Sequence, residues 1–114
     1  MVRYAGMKGK KVKDDGSRIE IASYRLMEGT NDADFLQAVD MVMAELKIRN
    51  STIGWQLFRG DDGVWVDIVS SKDWDKTAEE FKEVLGLPNA QRMYAMIDRS
   101  TLKYDTLTLE RFYP

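Results

Sequence analysis

Thr52 to Ser70 reads TIGWQLFRGDDGVWVDIVS, and how it is interpreted decides where the rest of the chain goes. Two runs rich in β-branched and aromatic residues flank Gly60-Asp61-Asp62-Gly63, whose glycines have access to the positive φ angles a tight reversal needs. The stretch predicts an antiparallel hairpin. Along its second arm Val64, Val66 and Ile68 alternate with Trp65, Asp67 and Val69. At a period of two, one face is aliphatic and the other carries an aromatic ring and a carboxylate. The first suits packing and the second suits contact with a ligand. Arg59-Gly60-Asp61 also spells an integrin-binding tripeptide, but the turn is sufficient explanation for it.

Downstream, Ser70 or Ser71 can cap a helix whose first turn holds Asp73 and Asp75 and whose stripe is Trp74, Thr77, Ala78, Phe81 and Leu85. Gly86 and Pro88 read as its stop. Lys76, Glu79, Glu80 and Glu83 fall on the opposite, solvated face. Met93 to Asp98 then reads as a fourth short strand with Tyr94, Met96 and Asp98 on one side, and Tyr104 to Phe112 alternates again as a fifth. Upstream, Arg18 to Leu26 alternates Ile19, Ile21 and Ser23 against Glu20, Ala22 and Tyr24, the pattern of a strand covered on both faces. Glu28 to Asn31 is a turn that offers caps to a helix carrying Phe35, Leu36, Val39, Val42, Met43 and Leu46, with Met41 and Met43 read as core and Asn50-Ser51 as the break.

Strand, helix, strand, hairpin, strand, helix, strand is a split βαβ repeat. Right-handed crossovers place both helices on one face of an antiparallel sheet, giving a ferredoxin-like α+β fold, βαββαβ. The aliphatic face is expected beneath the helices. The face bearing Trp65, Asp67, Tyr24 and Glu20 would then be a large exposed aromatic patch, and an identical sheet is its expected cover. The protein is therefore expected to be a homodimer through that face, with Tyr104 to Phe112 crossing to the partner.

Composition narrows the chemistry. At 114 residues the chain has room for one domain, and 44% hydrophobic with 32% charged residues lies in the globular range. We divide it into a basic N-terminal tail (1–17), containing Arg3, Lys8, Lys10, Lys11 and Lys13, and a single domain over 18–114. A net charge of −2 argues against a nucleic-acid binder, and strand three lacks the basic aromatic motif of an RNA-recognition domain. There is no cysteine and no histidine, which removes thiolate and imidazole nucleophiles, bases and ligands. No metal, haem or flavin is expected. Without a membrane-length apolar run or a signal-like leader, the expected location is cytoplasmic.

From Ile19 to Asp98 the sequence resembles the dimeric α/β-barrel proteins of the antibiotic-biosynthesis-monooxygenase type. The resemblance is carried by Gly29 before a helix opening Phe35-Leu36-x-Ala38, by Gly54, and by Asp62-Gly63-Val64-Trp65-Val66-Asp67-Ile68-Val69 leading to Trp74, Ala78 and Phe81. It implies a cofactor-independent monooxygenase acting on a small aromatic or quinol-type substrate, or a non-catalytic ligand-binding or structural dimer of the same fold. The chain departs from the pattern in lacking the axial histidine of the haem-degrading branch. It also has Ser70-Ser71 where relatives place a tryptophan, and Ile53 where a proline precedes the strand-two glycine. Asp67 is the candidate general base, with Tyr24 and Tyr94 orienting the substrate oxygen and Trp65, Glu20 and Met96 lining the site. The rival role for Asp67 is an ion pair with Arg25, Arg59 or Arg92.

Overall fold

A computed structural model describes residues 10–11, 18–49 and 53–114. The central strand β2 (Arg18–Leu26) pairs antiparallel with β4 (Trp65–Ser70) on one side and β5 (Ile97–Thr108) on the other, and β3 (Gly54–Arg59) extends the sheet beyond β4. The order β3-β4-β2-β5 is that of a ferredoxin-like α+β sheet. The predicted hairpin joins β3 to β4. Gly63 takes φ +81°, Gly60 N–H donates to Val64 O at 2.8 Å, and Gly63 N–H donates to Gly60 O at 3.0 Å. Of the expected tail, all but Lys10–Lys11 lies outside the described residues. That pair forms β1 and meets β6 (Arg111–Phe112).

Helix α1 (Asp32–Ile48) begins where Asn31 accepts from Ala33 N–H at 2.7 Å, and it buries Phe35, Ala38, Val39, Val42 and Leu46. Leu36 and Met41 of the expected core lie on its exposed side. The expected helix break at Asn50-Ser51 falls outside the described residues. Helix α2 (Trp74–Leu85) is capped by Asp73, which accepts from Lys76 N–H, rather than by Ser70 or Ser71. Glu80, expected on a solvated face, is only 7% exposed, 3.9 Å from Lys76 Nζ. Among the described residues no helix is long and apolar enough to cross a membrane.

Two expectations are overturned. First, Met93 to Ala95 are not strand but the end of a third helix, α3 (Pro88–Ala95). Pro88 sits at its start, where a fixed φ and a missing N–H cost nothing, so the residue read as a stop is a beginning. Ala90 and Met93 bury at helical rather than strand spacing. The chain then continues as one long strand, β5, which takes in Tyr104 to Thr108 of the expected fifth strand, while Arg111–Phe112 of that stretch form β6.

Second, the faces are exchanged. Tyr24 is 2% and Trp65 4% exposed, and both rings pack edge-on against Phe35 of α1, with centroids 6.0 and 5.0 Å apart. The aromatic face is therefore the one beneath the helices. Large rings fill the layer between sheet and helix, which the shorter aliphatic chains of the other face would leave underpacked. Ile19, Ile21, Val66 and Ile68 are left on the open face, where strand register sets them beside exposed Phe58 and Leu107.

Candidate functional site

The covered face is not filled throughout. Between the sheet, α2 and α3 lies a cavity of about 690 Å³ with mostly apolar walls, among them Trp55, Val69, Trp74, Phe81 and Met93. Strand register builds its floor. Ala22 on β2 stands directly between Asp67 on β4 and Tyr104 on β5, with Glu20 and Tyr24 two residues to either side on the same face. Ala22 is the smallest side chain in this group, and the space opens above it.

The far wall depends on an irregularity in β5. The register shifts between Ser23, opposite Lys103, and Arg25, opposite Asp98, so β5 carries extra residues there. The Asp98 carboxylate accepts from Ser100 N–H and Oγ, and Thr101 Oγ1 donates to Asp98 O while accepting from Arg25 N–H at 2.8 Å. This bulge brings Arg99 and Leu102 to the cavity.

At its polar end, Tyr24 Oη donates to Asp67 Oδ1 at 2.9 Å. Burial pushes the Asp67 carboxyl up from 3.8 to about 6. The Tyr24 hydrogen bond and the Trp55 indole act in the opposite direction and only partly offset it. The Trp55 N–H makes no bond of proper length and angle to the carboxylate, so its influence is one of proximity. Burial first, then the Asp67 charge, raises the Tyr24 phenol far above its usual range, and the same two causes raise Tyr94. Both phenols therefore stay neutral donors at any ordinary pH.

The arginines proposed as ion-pair partners are engaged elsewhere. Arg25 donates to Asp62 O, Arg59 pairs with Asp32, and Arg92 donates to Gln37. Of the sequence candidates, Asp67, Tyr24, Tyr94 and Glu20 line the cavity, while Trp65 and Met96 do not. Trp65 is packing core and also borders a shallower polar depression beside Arg25, Arg59 and the hairpin turn. Met96 caps α3. Trp55, Trp74, Phe81 and Tyr104 line the cavity without having been assigned to it. Counting back from the hairpin turn, in register Arg59 with Trp65, places Trp55 on the face of Asp67, and this was the available signal. Among the described residues no group of three or more His, Cys, Asp or Glu is placed to hold a metal ion.

No family model and no curated protein matches the sequence. Solved structures do share its fold. A NIPSNAP family protein of unknown function from Agrobacterium tumefaciens is 17% identical, with a TM-score of 0.63 over 92% of this chain and 98% of that one. An uncharacterized NIPSNAP-like domain protein from Burkholderia xenovorans is 16% identical, with a TM-score of 0.62 over 88% and 90%. SnoaB, a cofactor-independent oxygenase from Streptomyces nogalater, is 17% identical, with a TM-score of 0.59 over 83% and 95%. These likenesses place the chain in the ferredoxin-like α+β fold of SnoaB-like and NIPSNAP-family structures.

Proposed function

We propose that this protein is a cofactor-independent monooxygenase of the antibiotic-biosynthesis-monooxygenase type, acting on a small aromatic or quinol-type substrate with Asp67 as general base. The observation that carries this reading is a carboxylate set in the floor of an apolar cavity with no cation paired to it among the described residues, its pKa pushed up by burial to about 6. A base poised just below neutrality removes a proton without being permanently protonated. Tyr24 occupies Oδ1, so Oδ2 takes the proton. Tyr94, a neutral phenol on the opposite wall, orients the substrate oxygen, and Glu20 meets the far end of the ring system. The resulting phenolate is electron-rich and is itself the reductant for dioxygen. One oxygen atom enters a ring C–H bond, the hydroquinone becoming a hydroxyquinone, and the second oxygen atom leaves as water with the two hydrogens the ring gives up. The similarity in fold to SnoaB supports this class of chemistry.

In the rival reading the cavity binds such a ligand and does nothing to it, since Asp67 already has Tyr24 as a hydrogen-bond partner. Oxygen uptake with an aromatic hydroquinone, corrected for autoxidation, separates the two. Uptake that Asp67→Asn abolishes supports the enzyme. A hydroquinone that raises the melting temperature without oxygen uptake supports the binder. The assembly we propose is a homodimer through the open aliphatic face of Ile19, Ile21, Val66 and Ile68, in place of the Trp65 face that α1 covers.

A further inference from the structure

One polar atom at the cavity is unsatisfied. Trp55 lines the cavity beside Asp67, yet its Nε1–H is shut off from solvent and makes no hydrogen bond of good geometry among the described residues. A buried donor without a well-aligned acceptor is costly, so an indole N–H at the wall of a cavity favours a ligand that accepts from it. Register fixes its surroundings. Trp55 pairs with Val69 and Leu57 with Asp67, so the indole stands diagonally across from Asp67 on the same face of the sheet. Tyr24 already holds Oδ1 of that carboxylate. A ligand oxygen set to give its proton to Oδ2 therefore lies between the carboxylate and the indole.

We infer that Trp55 Nε1–H donates to the substrate oxygen that Asp67 deprotonates, so that the site recognises an ionisable aromatic hydroxyl and holds it as its anion. This rests on the reading of Asp67 as the base. The proton passes from the hydroxyl to Asp67, the electron pair stays on the oxygen, and the indole hydrogen bond to that oxygen strengthens as the charge appears. An indole suits this task because it only donates and does not titrate, so it never competes with Asp67 for the proton. Tyr24 cannot serve in its place, since its hydroxyl hydrogen is committed to Asp67.

The probe is p-nitrophenol, whose phenol and phenolate absorb in separate bands. It is titrated into the native protein, into Trp55→Phe and into Asp67→Asn, with melting temperature followed against pH for each. In Trp55→Phe the phenolate fraction of bound probe falls and affinity at neutral pH drops about tenfold, as expected for one hydrogen bond to a charged oxygen. The stability transition of Asp67 moves to higher pH, because the indole no longer lowers its carboxyl. β-(3-Benzothienyl)alanine at position 55, which preserves the ring shape and deletes the N–H, gives the same result if the phenylalanine variant packs poorly. If instead the Trp55 N–H serves only Asp67, both replacements leave phenolate binding unchanged, which overturns the inference and leaves the base intact. A probe that binds alike to all the proteins, or to none, removes the Asp67 reading and this one with it.

Discussion

Replacing Asp67 with Asn should stabilise the folded protein above neutral pH while stopping turnover. The folded carboxyl has a pKa of about 6 against an ordinary 3.8, so the folded state binds its proton more tightly than the unfolded chain does. Stability from this group is therefore greatest below pH 4, falls as pH rises through 6, and is level above it. At about 1.4 kcal/mol per pH unit, the difference amounts to at most about 3 kcal/mol of destabilisation carried at neutral pH. Asn removes the desolvated charge and keeps an oxygen to accept from Tyr24 Oη. Its amide N–H₂ brings new donors into the cavity wall, which offsets about 1 kcal/mol. A net gain of about 1–2 kcal/mol remains, or a melting temperature several degrees higher in a chain of this size.

The assay is thermal melting of both proteins from pH 4 to pH 8. Other carboxylates titrate in each, so the difference between the two curves isolates Asp67. That difference should slightly favour the native protein at the acid end, by at most the amide's cost of about 1 kcal/mol, and turn to favour the variant as pH rises through 6. A variant that is less stable than the native protein at pH 8, by a margin that does not depend on pH, would falsify the argument. It would mean that an unrecognised cation or hydrogen-bond network holds the charge. Arg25, Arg59 and Arg92 are already committed to other partners, which is why the opposite sign is expected.

Trp65→Ala should cost about 3–5 kcal/mol in denaturant unfolding, because it opens a hole against Phe35 in the core cluster that also holds Tyr24. Ala22→Leu should lower affinity for aromatic ligands at least tenfold with little change in melting temperature, since its methyls enter space that is already open; a ligand-bound melting shift equal to that of the native protein would place the ligand elsewhere. Ile68→Lys on the open face should give a folded monomer in sedimentation at micromolar concentration, whereas a dimer that survives the change would show that the sheets do not meet there.

What the sequence disclosed, and what it withheld, follows from the range of each signal. β2, α1 and the hairpin carry local signatures: alternation over Arg18–Leu26, Asn31 before an acidic turn, and paired glycines around Asp61 and Asp62. Each needs only its neighbours to be read. Pro88 carries two legitimate meanings, one beyond a helix end and one at a helix start, and only the packing of Ala90 and Met93 chooses between them. The exchange of faces has a different cause. Alternation at period two says that the faces of β4 differ, but it is silent on which one the helices take. The volume of Phe35, set against Tyr24 and Trp65, decides that, and those residues come from three separate elements.

The cavity was harder still, because a space has no residue of its own. Asp67, Tyr24, Tyr94 and Glu20 were singled out through their chemistry, but on the assumption that this face met solvent or a partner. With the helices placed over it, the same residues acquire a different physical meaning. A carboxylate under a helix layer is desolvated by its own protomer, so its raised pKa does not depend on dimerisation. The open face, made of aliphatic side chains from β2 and β4, is then free to serve assembly without disturbing the site. The two proposed roles can be separated experimentally: Ile68→Lys should change the oligomeric state and leave the Asp67 pH profile in place, and Asp67→Asn should do the reverse.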